Sequence, residues 1–327
     1  MRLRTLALSL IAGTALIATV AGCGIVARER AARAEAVFPP TGDIVDVGGT
    51  GVHVHIEGTG PDLVLIHGAS GNTRDFTHSF IDQLTDRYRV IVVDRPGLGW
   101  TDRLPGYKGP LNARSESPQE QAALIAAALD HVGSRRAVVV GHSYGGAVAL
   151  ALTLDHPDRV AGLVMLAGAS NPWDGDLGTL YAVNSSAIGG ATVVPALSAF
   201  APRGMVEGIV ADIFAPQDPP EGYIKAIGAG LTLRPESLRA NAQQVNGLLP
   251  HIVDMVPRYG TITAPTEIVH GDADDIVPLA VHSVPLSQQI PGARLTVLEG
   301  VGHMPHHARP QDVTDAIDRA ARRAGMM

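Results

Sequence analysis

The chain has 327 residues, 46% of them hydrophobic and 17% charged, with a formal net charge of -7. This composition excludes a disordered chain, and the length is ample for a sizeable buried core. The negative balance and the lack of a dense Lys/Arg run exclude the electrostatic footprint of a nucleic-acid partner.

The first segment, MRLRTLALSLIAGTALIATVAGCG, carries Arg2 and Arg4 ahead of an apolar stretch that ends in small residues. That order of features is the pattern of an export signal. Val20-Ala21-Gly22-Cys23 resembles a bacterial lipobox, which implies that Cys23 is lipidated and becomes the first mature residue. Cys23 is the only cysteine, so an intramolecular disulfide is excluded. An uncleaved transmembrane anchor is the alternative, because Leu6 to Val26 approaches the ~20 residues that a bilayer requires. Arg28, Arg30 and Arg33 balance the basic start, so charge does not orient such an anchor. Both readings attach the protein to a membrane, and the lipoprotein reading faces it to the extracytoplasmic side. Residues 1–23 are then signal or anchor, and 24–43 a linker outside the fold.

After Phe38-Pro39-Pro40, the alternating segments DIVDV and VHVHIEG flank Gly48-Gly49, which predicts an antiparallel hairpin. Four apolar runs bounded by turn residues follow: DLVLIHG, RVIVVDRPG, AVVVGHS and VAGLVMLAG. Helical patterns separate most of them. In SPQEQAALIAAALDHVG, Leu124, Ile125, Ala128, Leu129 and Val132 share one face, with Ser117 placed as N-cap before Pro118. Strands alternating with helices predict a mostly parallel sheet covered on both faces. Over 171–249 the rhythm breaks into Gly-, Pro- and Ala-rich helical segments without a strand. PTEIVHGDADDIVP and ARLTVLEG then resume it, and an amphipathic helix from Pro310 closes the chain. The expected organisation is an α/β core of 44–170 and 250–327, with a helical lid of 171–249 inserted after the sixth strand.

Gly141-His142-Ser143-Tyr144-Gly145-Gly146 sets G-x-S-x-G between a predicted strand and a predicted helix. A turn that sharp strains its central residue, and side chains at Gly141 and Gly145 would collide with backbone. In exchange the Ser143 hydroxyl stands clear at the sheet's C-terminal edge, beside a helix N-terminus that favours negative charge. A serine needs a base to take its proton, and His303 in EGVGHMPHHARPQDV follows the last predicted strand. The base needs an acid to orient it, and Asp274 in IVHGDADDIVP follows the preceding strand. The chain order is Ser, Asp, His.

With G-x-x-D-x-x-x-P at Gly271 to Pro278 and G-x-G-H at Gly300 to His303, residues 44–325 resemble the α/β-hydrolase fold family. The resemblance implies an eight-stranded, mostly parallel sheet flanked by helices, and a serine esterase with a Ser143-Asp274-His303 triad. Family spacing from Gly271 selects Asp274 over Asp272 and Asp275. Some members carry the acid after the sixth strand, where Asp174 or Asp176 would serve. The resemblance further implies an oxyanion hole built from the backbone amides of Ala69, in LIHGASGN, and Tyr144. The Asp94 to Arg103 loop resembles a family loop at the rim of the site, with Asp94 as a buried hydrogen-bonding residue.

His306 and His307, and likewise His53 and His55, lack a carboxylate or cysteine partner at ligand spacing, so no metal site is expected. His142 and His67 are expected to pack near the elbow, and no cofactor is implied. Ser143 excludes the aspartate nucleophile of dehalogenases and epoxide hydrolases. HGASGN departs from the His-Gly-Gly-Pro-Gly of proline-releasing peptidases, and Ala69 stands where perhydrolases tend to carry Trp. What remains is hydrolysis of a small-molecule carboxylic ester with an apolar acyl group. Inward residues among Leu177, Leu180, Ile188, Val193, Leu197, Phe200, Met205, Ile209, Ile213 and Phe214 would line the acyl pocket and the rest would pack the lid. A perhydrolase, a lactonase and a triad-bearing small-molecule receptor are the other readings.

Cys23→Ala in the full-length chain separates the two membrane readings by intact mass. Lipidation blocked at Cys23 leaves a heavier, unprocessed precursor, whereas an uncleaved anchor leaves mass and fractionation unchanged.

Overall fold

The computed structural model describes residues 2–327, although the side chains of 2–13 and 15–17 fall outside the described set. Most side chains in the apolar centre of the expected signal segment therefore lie outside the described set.

Asp43–Val47 (β1) and Thr50–Glu57 (β2) form the expected hairpin. Its turn needs Gly48 and Gly49, whose φ values of 59° and 86° are costly for any residue with a Cβ. The remaining strands are Asp62–Ile66 (β3), Arg89–Val93 (β4), Ala137–His142 (β5), Val160–Leu166 (β6), Thr266–Gly271 (β7) and Arg294–Leu298 (β8). They make one eight-stranded sheet in the order β1-β2-β4-β3-β5-β6-β7-β8. The two pairings made by β2 are antiparallel and the rest parallel.

Before the sheet comes Arg2–Val37 (α1); between strands come Arg74–Thr77 (α2), Pro118–His131 (α3) and Tyr144–Asp155 (α4). The insertion after β6 contributes Thr179–Ser185 (α5), Ala187–Phe200 (α6), Arg203–Phe214 (α7) and Tyr223–Ala226 (α8). Ala229–Thr232 (α9), Pro235–Asn246 (α10) and Leu248–Met255 (α11) complete it. Ser283–Gln289 (α12), Pro305–Ala308 (α13) and Pro310–Arg323 (α14) accompany the last two strands.

Strand alternation decides which layer each apolar residue joins. Val64 and Ile66 of β3 face α3 and α4, while Leu63 and Leu65 face Phe76, Phe80 and the buried stripe Val313, Ala316, Ile317, Ala320 of α14. Both faces being covered, the strands can be apolar throughout. Helix α3 starts as its sequence dictates: Ser117 Oγ accepts from the Glu120 amide at 3.1 Å, and Glu120 Oε2 accepts from the Ser117 amide at 2.8 Å. Where β5 turns into α4 the layers touch backbone to backbone, since a Cβ on Gly145 would sit 2.3 Å from the Ile66 carbonyl oxygen.

Two expectations change. The 24–43 linker is mostly helix: its Ala-, Arg- and Glu-rich sequence is a strong helix former, and α1 runs unbroken to Val37. Ala27 and Ala34 are 1% and 9% exposed, because small side chains let this helix lie close against the cap. Arg30 donates to the Ala199 carbonyl at 2.7 Å, Arg234 pairs with Glu35 at 3.0 Å, and Trp100 Nε1 donates to the Phe38 carbonyl at 3.0 Å. Among the described residues no single helix is long and apolar enough to cross a membrane. In the lid, Leu177, Leu180, Ile188, Phe200 and Ile209 are exposed rather than packed onto the core.

Gly145→Ala should cost about 1–3 kcal/mol, since the contact is with strand backbone that cannot yield. Gly208→Ala, inside α7 with nothing within 4 Å of its would-be Cβ, should gain roughly 0.5–1 kcal/mol. Urea unfolding of the two variants measures both signs.

Candidate active site

Ser143 occupies the bend between β5 and α4 with φ 53° and ψ -121°, a conformation that residues with side chains avoid. Its surroundings leave it no alternative. The Ser143 amide donates to the Leu166 carbonyl of β6 at 3.0 Å, and the Ser143 carbonyl accepts from Gly146 at 2.9 Å and Ala169 at 3.1 Å. A Cβ on Gly141 would come within 2.4 Å of the Gly145 carbonyl oxygen. The side chain is thereby aimed over the C-terminal edge of the sheet.

There it meets His303, whose Nε2 lies 2.9 Å from Ser143 Oγ. His303 Nδ1 lies 2.8 Å from Asp274 Oδ2. Asp274 Oδ1 accepts from the Ile276 and Val277 amides, both at 2.9 Å, and Oδ2 is also 3.0 Å from His270 Nε2. Burial alone would raise the Asp274 carboxyl. Hydrogen bonds from His270 and His303, the His303 charge and the Val277 amide reverse that, holding it well below the carboxylate range. It is an anion at any pH near neutrality. The other candidate acids are elsewhere: Asp272 accepts from the Gly300 amide at 2.7 Å, Asp176 from the Gly178 amide at 2.8 Å, and Asp174 and Asp275 are exposed.

The loop after β3 passes directly over the serine, since a Cβ on Gly68 would lie 2.9 Å from Ser143 Cβ. Ser70 is held there with φ 57°. Its amide donates to Asn241 Oδ1 at 2.6 Å, Asn241 Nδ2 donates to Ser70 Oγ at 2.9 Å, and Thr232 Oγ1 donates to the Ser70 carbonyl at 2.8 Å. Cap helices α9 and α10 thus grip this loop. Among the described residues no protein acceptor takes the amides of Ala69 or Tyr144. The Tyr144 amide opens α4, where unpaired N–H groups carry partial positive charge.

The model of the alpha/beta hydrolase family matches residues 63–316. The chain belongs to the alpha/beta hydrolase family. It is 30% identical to a pimeloyl-(acyl-carrier protein) methyl ester esterase of Aeromonas hydrophila, covering 82% of this chain and 98% of that one. A 2-hydroxy-6-oxononadienedioate/2-hydroxy-6-oxononatrienedioate hydrolase of Klebsiella pneumoniae is 28% identical, covering 79% and 87%. A thermophilic esterase from Thermogutta terrifontis shares the fold, with TM-score 0.67 at 24% identity over 86% of this chain and 97% of that one.

In this alpha/beta hydrolase further histidines are buried close to the site. His142 Nε2 donates to the His303 carbonyl at 2.9 Å, and burial, then the nearby His306 and His303, push it well below the imidazole range. His67 accepts from the Arg95 amide at 3.0 Å and donates to the Gly68 carbonyl at 2.9 Å. Asp94 is buried as expected, accepting from His53 at 2.7 Å, Thr73 at 2.6 Å and Trp100 at 2.8 Å.

The expectation that the histidine pairs lack a carboxylate does not hold. His306 and His307 lie 3.3 and 3.0 Å from Asp75, and His53 reaches Asp94; these partners are remote in sequence and adjacent only in the fold. Asp75, His142 and His306 bring potential ligand atoms within 4.8 Å of one another. That is looser than the ~3.3 Å separation that tetrahedral zinc ligands adopt. Asp75 moreover already accepts from Tyr223, His306 and His307. The group reads as a hydrogen-bonded network tying the cap to the His303 loop.

Burial lowers His67, His282 and His306 to about 4. Each is neutral in the folded protein but takes up a proton near ~6.5 when unfolded. Stability should therefore be full above about pH 6.5 and fall on acidification toward about pH 4, by roughly 1.4 kcal/mol per pH unit for each histidine. Urea unfolding at stepped pH checks the slope; stability independent of pH across this window would contradict the neutral assignment.

Proposed function

We propose that this protein hydrolyses carboxylic esters through an acyl-enzyme, with Ser143 as nucleophile, His303 as general base and acid, and Asp274 as the group that orients the imidazole. The observation that carries this reading is the unbroken relay from Asp274 Oδ2 through both His303 nitrogens to Ser143 Oγ, at 2.8 and 2.9 Å. As Oγ attacks the ester carbonyl carbon, its proton moves to His303 Nε2 and the carbonyl electron pair moves to oxygen. The amides of Ala69 and Tyr144 receive that oxyanion, each worth about 3 kcal/mol in the transition state. Collapse expels the alkoxide, which the imidazolium protonates, and water repeats the sequence to release the acid. Asp274 remains ionised throughout and keeps the proton of neutral His303 on Nδ1.

The methyl ester esterase activity named for the Aeromonas relative supports an ester substrate. An apolar acyl group belongs to the same proposal on the apolar character of the cap sequence; Met304, Val210, Phe214 and Tyr223 themselves pack into a buried cluster that ties the cap to the His303 loop. Leu180, Leu197 and Met205 are the acyl-contacting candidates of the cap, the first exposed and the other two half-buried. A lipid-anchored, extracytoplasmic placement through Cys23 belongs to the same proposal, supported by the Val20-Ala21-Gly22-Cys23 sequence.

A fluorophosphonate should label one serine, and peptide mapping should find it at Ser143. Ser143→Ala should lower kcat on aryl esters by roughly 10⁵ to 10⁶. Asp274→Asn should cost about 10⁴, and Asp272→Asn or Asp275→Asn little. A label on another serine, or near-normal turnover in Asp274→Asn, would overturn the assignment.

A further inference from the structure

Arg95 has no part in the relay, yet it is among the largest fully buried side chains. Its Nη2 donates to the Gly68 carbonyl at 3.3 Å, where the Gly71 amide at 3.4 Å and His67 Nδ1 at 2.9 Å also converge. Its guanidinium carbon stands 4.1 Å from the centre of the Tyr144 ring. Nη1 donates to Gln121 Oε1 of α3 at 3.1 Å and to Gln244 Oε1 of cap helix α10 at 3.2 Å. Gln121 in turn donates to the Tyr144 hydroxyl at 3.2 Å, and Gln244 to the Pro96 carbonyl at 2.8 Å. The nearby buried carboxylate, Glu116, is taken by Arg103 at 2.8 Å.

A buried guanidinium without a carboxylate of its own is a costly thing to keep for packing alone. What it touches accounts for it. The Gly68 carbonyl and the Ala69 N–H belong to one rigid peptide plane and point in opposite directions. A cation that fixes the carbonyl therefore aims the amide, and by polarising the peptide it makes that N–H a stronger donor. The same cation, stacked on the Tyr144 ring, fixes the residue that supplies the other amide.

We propose that Arg95 is the positioning residue of the oxyanion hole, holding the Ala69 and Tyr144 amides in one geometry from behind. This rests on the reading of Ser143 as the nucleophile. Because α10 contributes both Gln244 to Arg95 and Asn241 to Ser70, the cap braces the hole from two sides, and its closure and the aim of the amides are coupled.

The test compares wild type with Arg95→Met, Arg95→Lys and the milder Gln244→Leu. The readouts are aryl-ester kinetics, the active-site titre with a fluorophosphonate, and inhibition by a trifluoromethyl ketone. That ketone adds to the serine as a tetrahedral oxyanion. Arg95→Met should lower kcat by about 10²-fold with KM nearly unchanged, and weaken the ketone by the same factor, at an unchanged titre. Arg95→Lys and Gln244→Leu should fall between, with kcat/KM and ketone affinity moving together across the series. A merely structural Arg95 predicts a reduced titre and melting temperature with normal ketone affinity in the surviving fraction, and that result overturns the proposal. Should Arg95→Met not fold, Gln244→Leu decides alone: normal ketone affinity there overturns it. A wild type that the fluorophosphonate fails to label at Ser143 sinks the functional reading instead.

Discussion

The bend from β5 into α4 is the constraint from which the site follows. It can form only because Gly141 and Gly145 leave backbone in contact with backbone, and it holds Ser143 at a φ that costs of order 1–3 kcal/mol. The compensation is visible on either side. The apolar run Ala147–Leu152 is wholly buried, and β6 receives the strained residue's own amide through the Leu166 carbonyl. Once the hydroxyl is fixed between two strands, the loops after β3, β7 and β8 have a stationary point to converge on. A relay with 2.8 and 2.9 Å links needs such a reference.

Electrostatics is arranged around the same point. Asp274, Asp75 and Asp94 are buried anions, each surrounded by donors that outweigh the penalty of burial. His142 and His306 beside the site are kept neutral by desolvation. The two facts serve one end in the proposed reaction: a cation at His142, 5.0 Å from the His303 ring, would oppose any charging of His303.

Where chemistry is local, the sequence was readable. The elbow lies in six consecutive residues, and Asp274 and His303, which the fold brings to Ser143, each sit a few positions beyond a strand, where chain order points. Asp75 was invisible because its partners lie 231 and 232 positions away, and spacing in the chain says nothing about such pairs. Arg95 was hidden for a different reason: a lone arginine in a loop gives no hint that it will be buried beneath two amides. The lid misled because its helices are apolar on more than one side, so periodicity could not separate the faces that pack from those that meet solvent. The arm failed on punctuation. Pro39-Pro40 marks a real break, but the segment before it is Ala-rich enough to remain helical and dock.

That arm changes what attachment at Cys23 would mean. From Cys23 to Val37 the backbone is uninterrupted helix, about 21 Å long at ~1.5 Å per residue. A leash of that many residues would let the folded body tumble and sample every direction. A docked strut does not: it fixes both the height of the body above its point of attachment and which face is turned toward that surface. Substrate would then reach the cap from one compass bearing, set by the angle at which α1 meets α6.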